Sequence, residues 1–305
     1  MLAQRLGERI RFEVPMAGHT SFRVGGPAEA MVMPGDTAEL IDLMVMLEYA
    51  GVDWFVLGGG TNLLVKDSGI SGVVISMQQG FSNIETEKSG TDAVMVHAGA
   101  GARLSSLCRY ALENNLEGMN FALGIPGTVG GAVIMNAGTR QGTMESVITA
   151  IEVLYAPDKP ETLSKQSLCF TYRGLVWDRS MITKKHSEPI ILSGWFEFEP
   201  GKGTTQDREA ESLKARRRQS QPPGFSAGCV FKNPSADMPA GKLIDQAGLK
   251  GLRIGDALVS EVHANFIVNL GRASAADILR LMETVREKVL LAHGVELEPE
   301  IKIIG

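Results

Sequence analysis

Leu40, Leu43, Met44 and Leu47 recur at the spacing of one helical face, and Asp36 and Glu39 ahead of them stand at capping-box spacing, which predicts a helix. A short apolar strand, Ala30 to Met33, precedes it. After Gly51 the run Trp54-Phe55-Val56-Leu57 reads as a buried strand that stops abruptly in Gly58-Gly59-Gly60-Thr61-Asn62. The pattern is a small β-α-β unit with a glycine turn at its end.

From Ile70 to Pro200 strand patterns dominate. Val73 to Met77, Ala93 to Ala98, Ile148 to Tyr155 and Ile190 to Phe198 are rich in β-branched or aromatic residues, with helical interludes over Arg103 to Asn114 and after Thr128. A charged helix is predicted over Thr205 to Arg218, and the breaker cluster Gln221-Pro222-Pro223-Gly224 follows it. Beyond that joint come a short helix, Gly241 to Ala247, and a long one, Ser274 to His293, with Ile278, Met282, Val285 and Val289 as its core stripe. Alternation over the final residues places Glu296, Glu298 and Glu300 on one face of a strand. The fold class is α+β.

Length and composition narrow the class. A chain of 305 residues suits two or three domains, and 44% hydrophobic with 21% charged residues is the balance of an ordinary globular protein. The net charge of −5 leaves no run of Lys and Arg to neutralise a nucleic-acid backbone. Cys108, Cys169 and Cys229 are odd in number and widely spaced, which supports neither a disulfide framework nor a CxxC zinc site and points to a reducing, cytoplasmic setting. No apolar stretch reaches membrane-spanning length, and the five histidines lack metal-ligand spacing, so no metal is expected.

Candidate chemistry lies in the glycine segments. In Gly58-Gly59-Gly60-Thr61-Asn62, residues without Cβ let backbone N–H groups close on a pyrophosphate, and Thr61 and Asn62 add donors; a tight structural turn is the plainer alternative. The second loop, Gly124-Ile-Pro-Gly127-Thr128-Val-Gly130-Gly131 with Asn136 and Gly138 beyond, has more glycines than a connection needs and opens a helix capped near Thr128. Close approach to a flat or phosphorylated ligand accounts for them, although backbone packing explains one or two. Gly224-Phe-Ser-Ala-Gly228 matches GxSxG, yet Pro222-Pro223 before it and an extended segment after it deny a nucleophile elbow its strand and helix. Buried and inert is the ordinary state of a cysteine such as Cys229, and surface charge that of an arginine such as Arg173 or Arg216.

Together these segments resemble the UDP-N-acetylenolpyruvoylglucosamine reductases, within the vanillyl-alcohol-oxidase type of FAD-binding fold. The segments are His19-Thr-Ser-Phe-Arg-Val-Gly-Gly26, Leu57-Gly-Gly-Gly-Thr-Asn-Leu-Leu64, Gly124-Ile-Pro-Gly-Thr-Val-Gly-Gly131, Met135-Asn-Ala-Gly138 and Tyr172-Arg173. Later come Ser226-Ala-Gly-Cys-Val-Phe-Lys-Asn-Pro234, Gly241-Lys-Leu-Ile-Asp245, His263-Ala-Asn-Phe-Ile-Val-Asn269 and Leu297-Glu-Pro-Glu300. Each is weak alone, but their order and spacing are highly specific.

The resemblance implies a two-part FAD-binding domain, residues 1–70 and 71–200, and a C-terminal α+β substrate-binding domain, 201–305. It assigns FAD to Gly58, Gly59, Gly60, Thr61, Asn62, Gly124, Gly127, Thr128, Gly131 and Asn136. Catalysis falls to Arg173, Cys229 and Glu300, and substrate binding to Tyr172, Lys232 and Asn233. NADPH is the implied electron donor, a UDP-sugar the substrate, and the protein is expected to act as a cytoplasmic monomer of the family's shorter type. Where the family usually has a serine proton donor this chain has Cys229, whose reference pKa of about 8.5 lets it give up a proton more readily than a hydroxyl. The competing readings are an FAD oxidase or dehydrogenase of another small substrate, and a flavin-binding protein without turnover.

Overall fold

In this computed structural model the helix expected from the Leu40 stripe runs over Thr37–Ala50, started by Asp36, whose side chain accepts from the Glu39 amide at 2.8 Å, and closed by left-handed Gly51. Only half of the capping box forms, because the Glu39 carboxylate accepts from the Arg9 guanidinium and from the Gly35 amide instead. Leu40, Leu43, Met44 and Leu47 are buried with Val32 and Ile75 in one core cluster. The described residues are 6–89, 93–155, 159–177, 189–201, 211, 212, 215, 217 and 219–305. Most of the charged helix expected over Thr205 to Arg218, Arg216 included, lies outside them.

The chain divides into two units that interleave in sequence: Met1–Arg11, Met31–Gly59 and Gly72–Ala215 form the first, and Phe12–Ala30, Gly60–Ser71 and Arg216–Gly305 the second. In the first, the strand Trp54–Leu57 pairs in parallel with Ile70–Ser76, Trp54 facing Val73 and Leu57 facing Ser76. A second, antiparallel sheet orders the strands Pro160–Ser164, Ile148–Leu154, Ile190–Pro200, Val94–Gly99 and Ile84–Ser89. Residues 190–194, at the start of its central strand, are all buried, the continuous run expected where both faces are covered. The helices Leu104–Glu113 and Val129–Ile134 contribute Leu104, Leu107, Val129 and Val133 to the same core as Val96, Ile151 and Phe196.

In the second unit the helix Ala275–His293 buries Ile278, Met282, Val285 and Val289, the stripe read from the sequence. Ser274 and Asp277 form a complete capping box, and Gly294 ends the helix in the left-handed region. The Asp67 carboxylate adds a cap from far along the chain, accepting from the Ala275 and Ala276 amides at 2.9 Å each. Leu63–Val65 pairs in parallel with Lys302–Ile304.

The expected terminal strand is shorter than its alternation suggests: only Lys302–Ile304 is regular. Pro299 has no N–H to continue a ladder, and the residues around it pair with another segment, the Lys232 amide donating to Glu298 O at 2.8 Å and the Glu300 amide to Val230 O at 2.7 Å. The acidic face therefore breaks up. Glu296 meets Arg286 at 2.9 Å, Glu298 meets Lys232 at 2.6 Å, and Glu300 is half-buried.

Candidate active site

Both glycine segments start from the ends of regular elements. Trp54–Leu57 delivers the first, and Gln78 Nε2 holds it by donating to Gly58 O at 2.7 Å. Thr128 begins the helix Val129–Ile134 at the second, its hydroxyl accepting from the Gly131 amide. A Cβ on Gly58 would stand 2.6 Å from Thr128 Oγ1, so within the first unit the two segments converge at a spacing only glycine permits. Gly124 and Gly127 hold positive φ of 76° and 123°, which any other residue would resist.

The glycines do not all answer to one need. Gly130 is packed against Ala100, where a Cβ would come within 2.8 Å of the Ala100 Cβ, and Gly138 lies against Thr143. Gly60, at φ 61°, backs onto the His19 carbonyl while its own carbonyl accepts from Ser21 N at 3.0 Å. Those three have packing reasons. Gly58 and Gly131 both flank the Thr128 hydroxyl, and with Gly59, Gly124 and Gly127 they lie outside the deep core, leaving surface of bare backbone along the two segments. Such a surface fits the pyrophosphate and flat ring of a flavin nucleotide.

Arg173 and Tyr172 occupy the tip of a hairpin between Cys169–Thr171 and Gly174–Val176, with Thr171 facing Gly174 across the turn. Arg173 takes φ 61°, a strained conformation for a side-chain-bearing residue, and its guanidinium donates to Gly138 O at 3.1 Å. Its guanidinium carbon lies 5.4 Å from the centre of the exposed Tyr172 ring. Asn136 supports this tip. It is buried at φ 39°, its amide donates to Thr171 O at 3.1 Å, and its side-chain oxygen accepts from Glu145 N at 3.1 Å. Strain of this kind at a tip, held from below by a buried amide, is the pattern of a side chain kept in one place for use.

In the second unit Cys229 lies half-buried opposite Phe266 in an isolated antiparallel bridge. Asn265 fixes the residues after it, its side chain accepting from Phe231 N at 3.0 Å and donating to Phe231 O at 2.8 Å. Since Glu300 N donates to Val230 O at 2.7 Å, the segment carrying Cys229 and the segment carrying Glu300 are paired side by side. Lys232 engages Glu298, and Asn233 Oδ1 caps the helix Ala240–Gln246 by accepting from Ala240 N at 2.9 Å. The structure thus pairs the segment of Cys229 and Lys232 with that of Glu300, sets Gly58 against Thr128, and ties Asn136 to Thr171 in the hairpin that carries Arg173. Gln78, Glu145 and Asn265 were not singled out from the sequence, because their contacts reach 9 to 34 residues away and leave no local pattern.

The GxSxG segment forms no nucleophile elbow, for Phe225 bridges to Asn269 and no helix follows Ser226. Among the described residues no group of three His, Cys, Asp or Glu could hold a metal ion, and no helix is long and apolar enough to cross a membrane.

Comparison with known proteins agrees with this arrangement. Residues 28–162 match the family model described as an FAD binding domain, and residues 220–304 that described as the UDP-N-acetylenolpyruvoylglucosamine reductase C-terminal domain. The UDP-N-acetylenolpyruvoylglucosamine reductase of Desulfosudis oleivorans is 46% identical over 98% of this chain and 95% of its own length. That of Caldanaerobacter subterraneus is 44% identical over 97% of this chain and 94% of its own. A solved structure, the reductase (MurB) from Thermus caldophilus, superposes with a TM-score of 0.81 at 34% identity, covering 97% of this chain and all of that one. With an FAD-binding domain followed by the family's own C-terminal domain, this chain belongs to the UDP-N-acetylenolpyruvoylglucosamine reductases, flavin-dependent oxidoreductases of α+β fold.

Proposed function

We propose that the chain reduces the enolpyruvyl group of a UDP-N-acetylglucosamine ether to a lactyl group, giving UDP-N-acetylmuramate for peptidoglycan precursors in the cytoplasm, with NADPH as electron donor and the protein acting as a monomer. The residue ranges 1–70, 71–200 and 201–305 remain the proposed functional division, the first two for FAD and the last for substrate. When bound, FAD would supply the hydride chemistry for reduction at the β-carbon of the enolpyruvyl group, with NADPH as the electron source.

Gly58, Gly59, Gly60, Thr61 and Asn62 would hold the cofactor pyrophosphate, and Gly124, Gly127, Thr128, Gly131 and Asn136 would serve the flavin. Hydride arrival at the β-carbon leaves negative charge on the α-carbon and the adjoining carboxylate. Arg173 stabilises that charge where it develops, and the loss of one such group typically costs about 10²- to 10³-fold in rate. Cys229 protonates the α-carbon, and Glu300 hydrogen-bonds the substrate carboxyl or relays the proton. Tyr172, Lys232 and Asn233 contact the sugar nucleotide. The absence of GxGxxG supports a single pocket used in turn by NADPH and substrate.

The observation that carries this reading is the backbone pairing of the Cys229–Lys232 segment with the segment of Glu298 and Glu300, which supports a shared role for the two segments. Its test is anaerobic stopped-flow on Cys229→Ala and Cys229→Ser. The alanine variant should accept electrons from NADPH yet be reoxidised slowly by the enolpyruvyl substrate, and serine should restore reoxidation. Near wild-type reoxidation in Cys229→Ala removes the thiol from the mechanism.

A further inference from the structure

We infer that Asn62, from the glycine turn, is a positioning residue for Glu300: its side-chain amide holds the peptide of the terminal acid. Asn62 Nδ2 donates to Glu300 O at 3.0 Å across 238 residues of sequence, and Asn62 O accepts from Lys302 N at 2.9 Å. The parallel ladder of the second unit begins only after this point, with Leu63 opposite Lys302 and Val65 opposite Ile304. The Asn62 amide therefore acts as one extra rung, reaching a carbonyl that the backbone ladder stops short of. On its other side the Glu300 peptide is held by its own amide, which donates to Val230 O at 2.7 Å, next to Cys229. Both ends of Glu300 are thus tethered, one to the thiol-bearing segment and one to the glycine turn.

The turn itself is anchored. Gly60 backs onto the His19 carbonyl and accepts from Ser21 N, and Lys66 N donates to Ile304 O at 2.9 Å. A carboxylate whose peptide moves with the turn keeps its place relative to whatever the turn binds, and a misplacement of about 1 Å at a reacting group can cost about 10²-fold. Neither tether is visible in the Leu-Glu-Pro-Glu pattern, because the partners, the Asn62 side-chain amide and the Val230 carbonyl, lie far from it in sequence.

This rests on the assignment of Glu300 to the acid role, and a double-mutant cycle separates the two claims. Reoxidation by the enolpyruvyl substrate is measured per bound FAD in wild type, Asn62→Ala, Glu300→Gln and the double variant, with Asn62→Asp as a same-shaped replacement that cannot donate. Hydrogen exchange of the peptide covering residues 296–305 is followed in the apoproteins. Asn62→Ala and Asn62→Asp should each slow reoxidation about 10- to 100-fold and speed exchange in that peptide, while adding less than about 2-fold to the loss in Glu300→Gln. Additive losses, unchanged exchange, or failure of both Asn62 variants to fold overturns the inference. If Glu300→Gln alone is without effect, it is the acid assignment that fails.

Discussion

Replacing Gly58 by alanine tests whether the two glycine segments converge as described. The added Cβ would lie 2.6 Å from Thr128 Oγ1, where ordinary contact starts at 3.4 Å, so about 0.8 Å of relief is required. Gly58 φ is not in the left-handed region, so the strain is steric and not conformational. The obvious relief is rotation of Thr128, which surrenders its cap on Gly131 N; with a donor distance of 3.4 Å that cap is worth about 1 kcal/mol or less. Residual overpacking adds about 1 kcal/mol, and the lower entropy of the unfolded alanine chain returns roughly half of that. Gly58→Ala should therefore destabilise the protein by about 1–2 kcal/mol, a fall of roughly 2–3 °C in melting temperature. In a Thr128→Ala background the offending oxygen is gone and the same substitution should be close to neutral. Thermal melting of the four proteins, followed by circular dichroism, gives the coupling directly. An additive pair would mean that Gly58 and Thr128 do not face each other.

Two other outcomes follow from single residues. Asn136→Ala should lower stability by about 1–3 kcal/mol by leaving Thr171 O and Glu145 N without their partner, and should slow flavin reoxidation by loosening the tip that carries Arg173; a variant with wild-type melting and reoxidation contradicts the support described. Burial, aided by Lys250, pushes the His263 imidazole below its ordinary value near 6.5, while Nδ1 accepts from Asn265 N at 3.2 Å. The unfolded chain then binds a proton that the folded chain resists, so stability is complete above about pH 6.5 and declines as pH falls through it. Denaturant titrations should show a flatter decline between about pH 7 and 5 for His263→Gln, and an unchanged slope would contradict it.

What was legible in the sequence was local. The Leu40 and Ile278 stripes, with Asp36 and Ser274 ahead of them, mark helices because amphipathic spacing and caps act within a few residues. Glycine clusters marked the two converging segments, but which glycines serve packing depends on Ala100, His19 and Thr143 and has no local trace. Alternation over residues 295–304 misled, since Pro299 and the Val230 segment decide the pairing there. Asp67 capping a helix 208 residues later, and Asn62 holding Glu300, are long-range contacts between side chains and backbone, and hydrophobic periodicity carries no information about them.

The central claim is the reaction itself, and one anaerobic titration tests it most directly. The purified, FAD-replete protein is bleached with one equivalent of NADPH, and UDP-N-acetylglucosamine enolpyruvate is added with oxygen excluded. Flavin absorbance should return in step with substrate, one equivalent restoring the oxidised spectrum, and UDP-N-acetylmuramate should appear in the same amount. A flavin that stays bleached in the presence of the enolpyruvyl sugar, and recovers only when oxygen is admitted, would contradict the account.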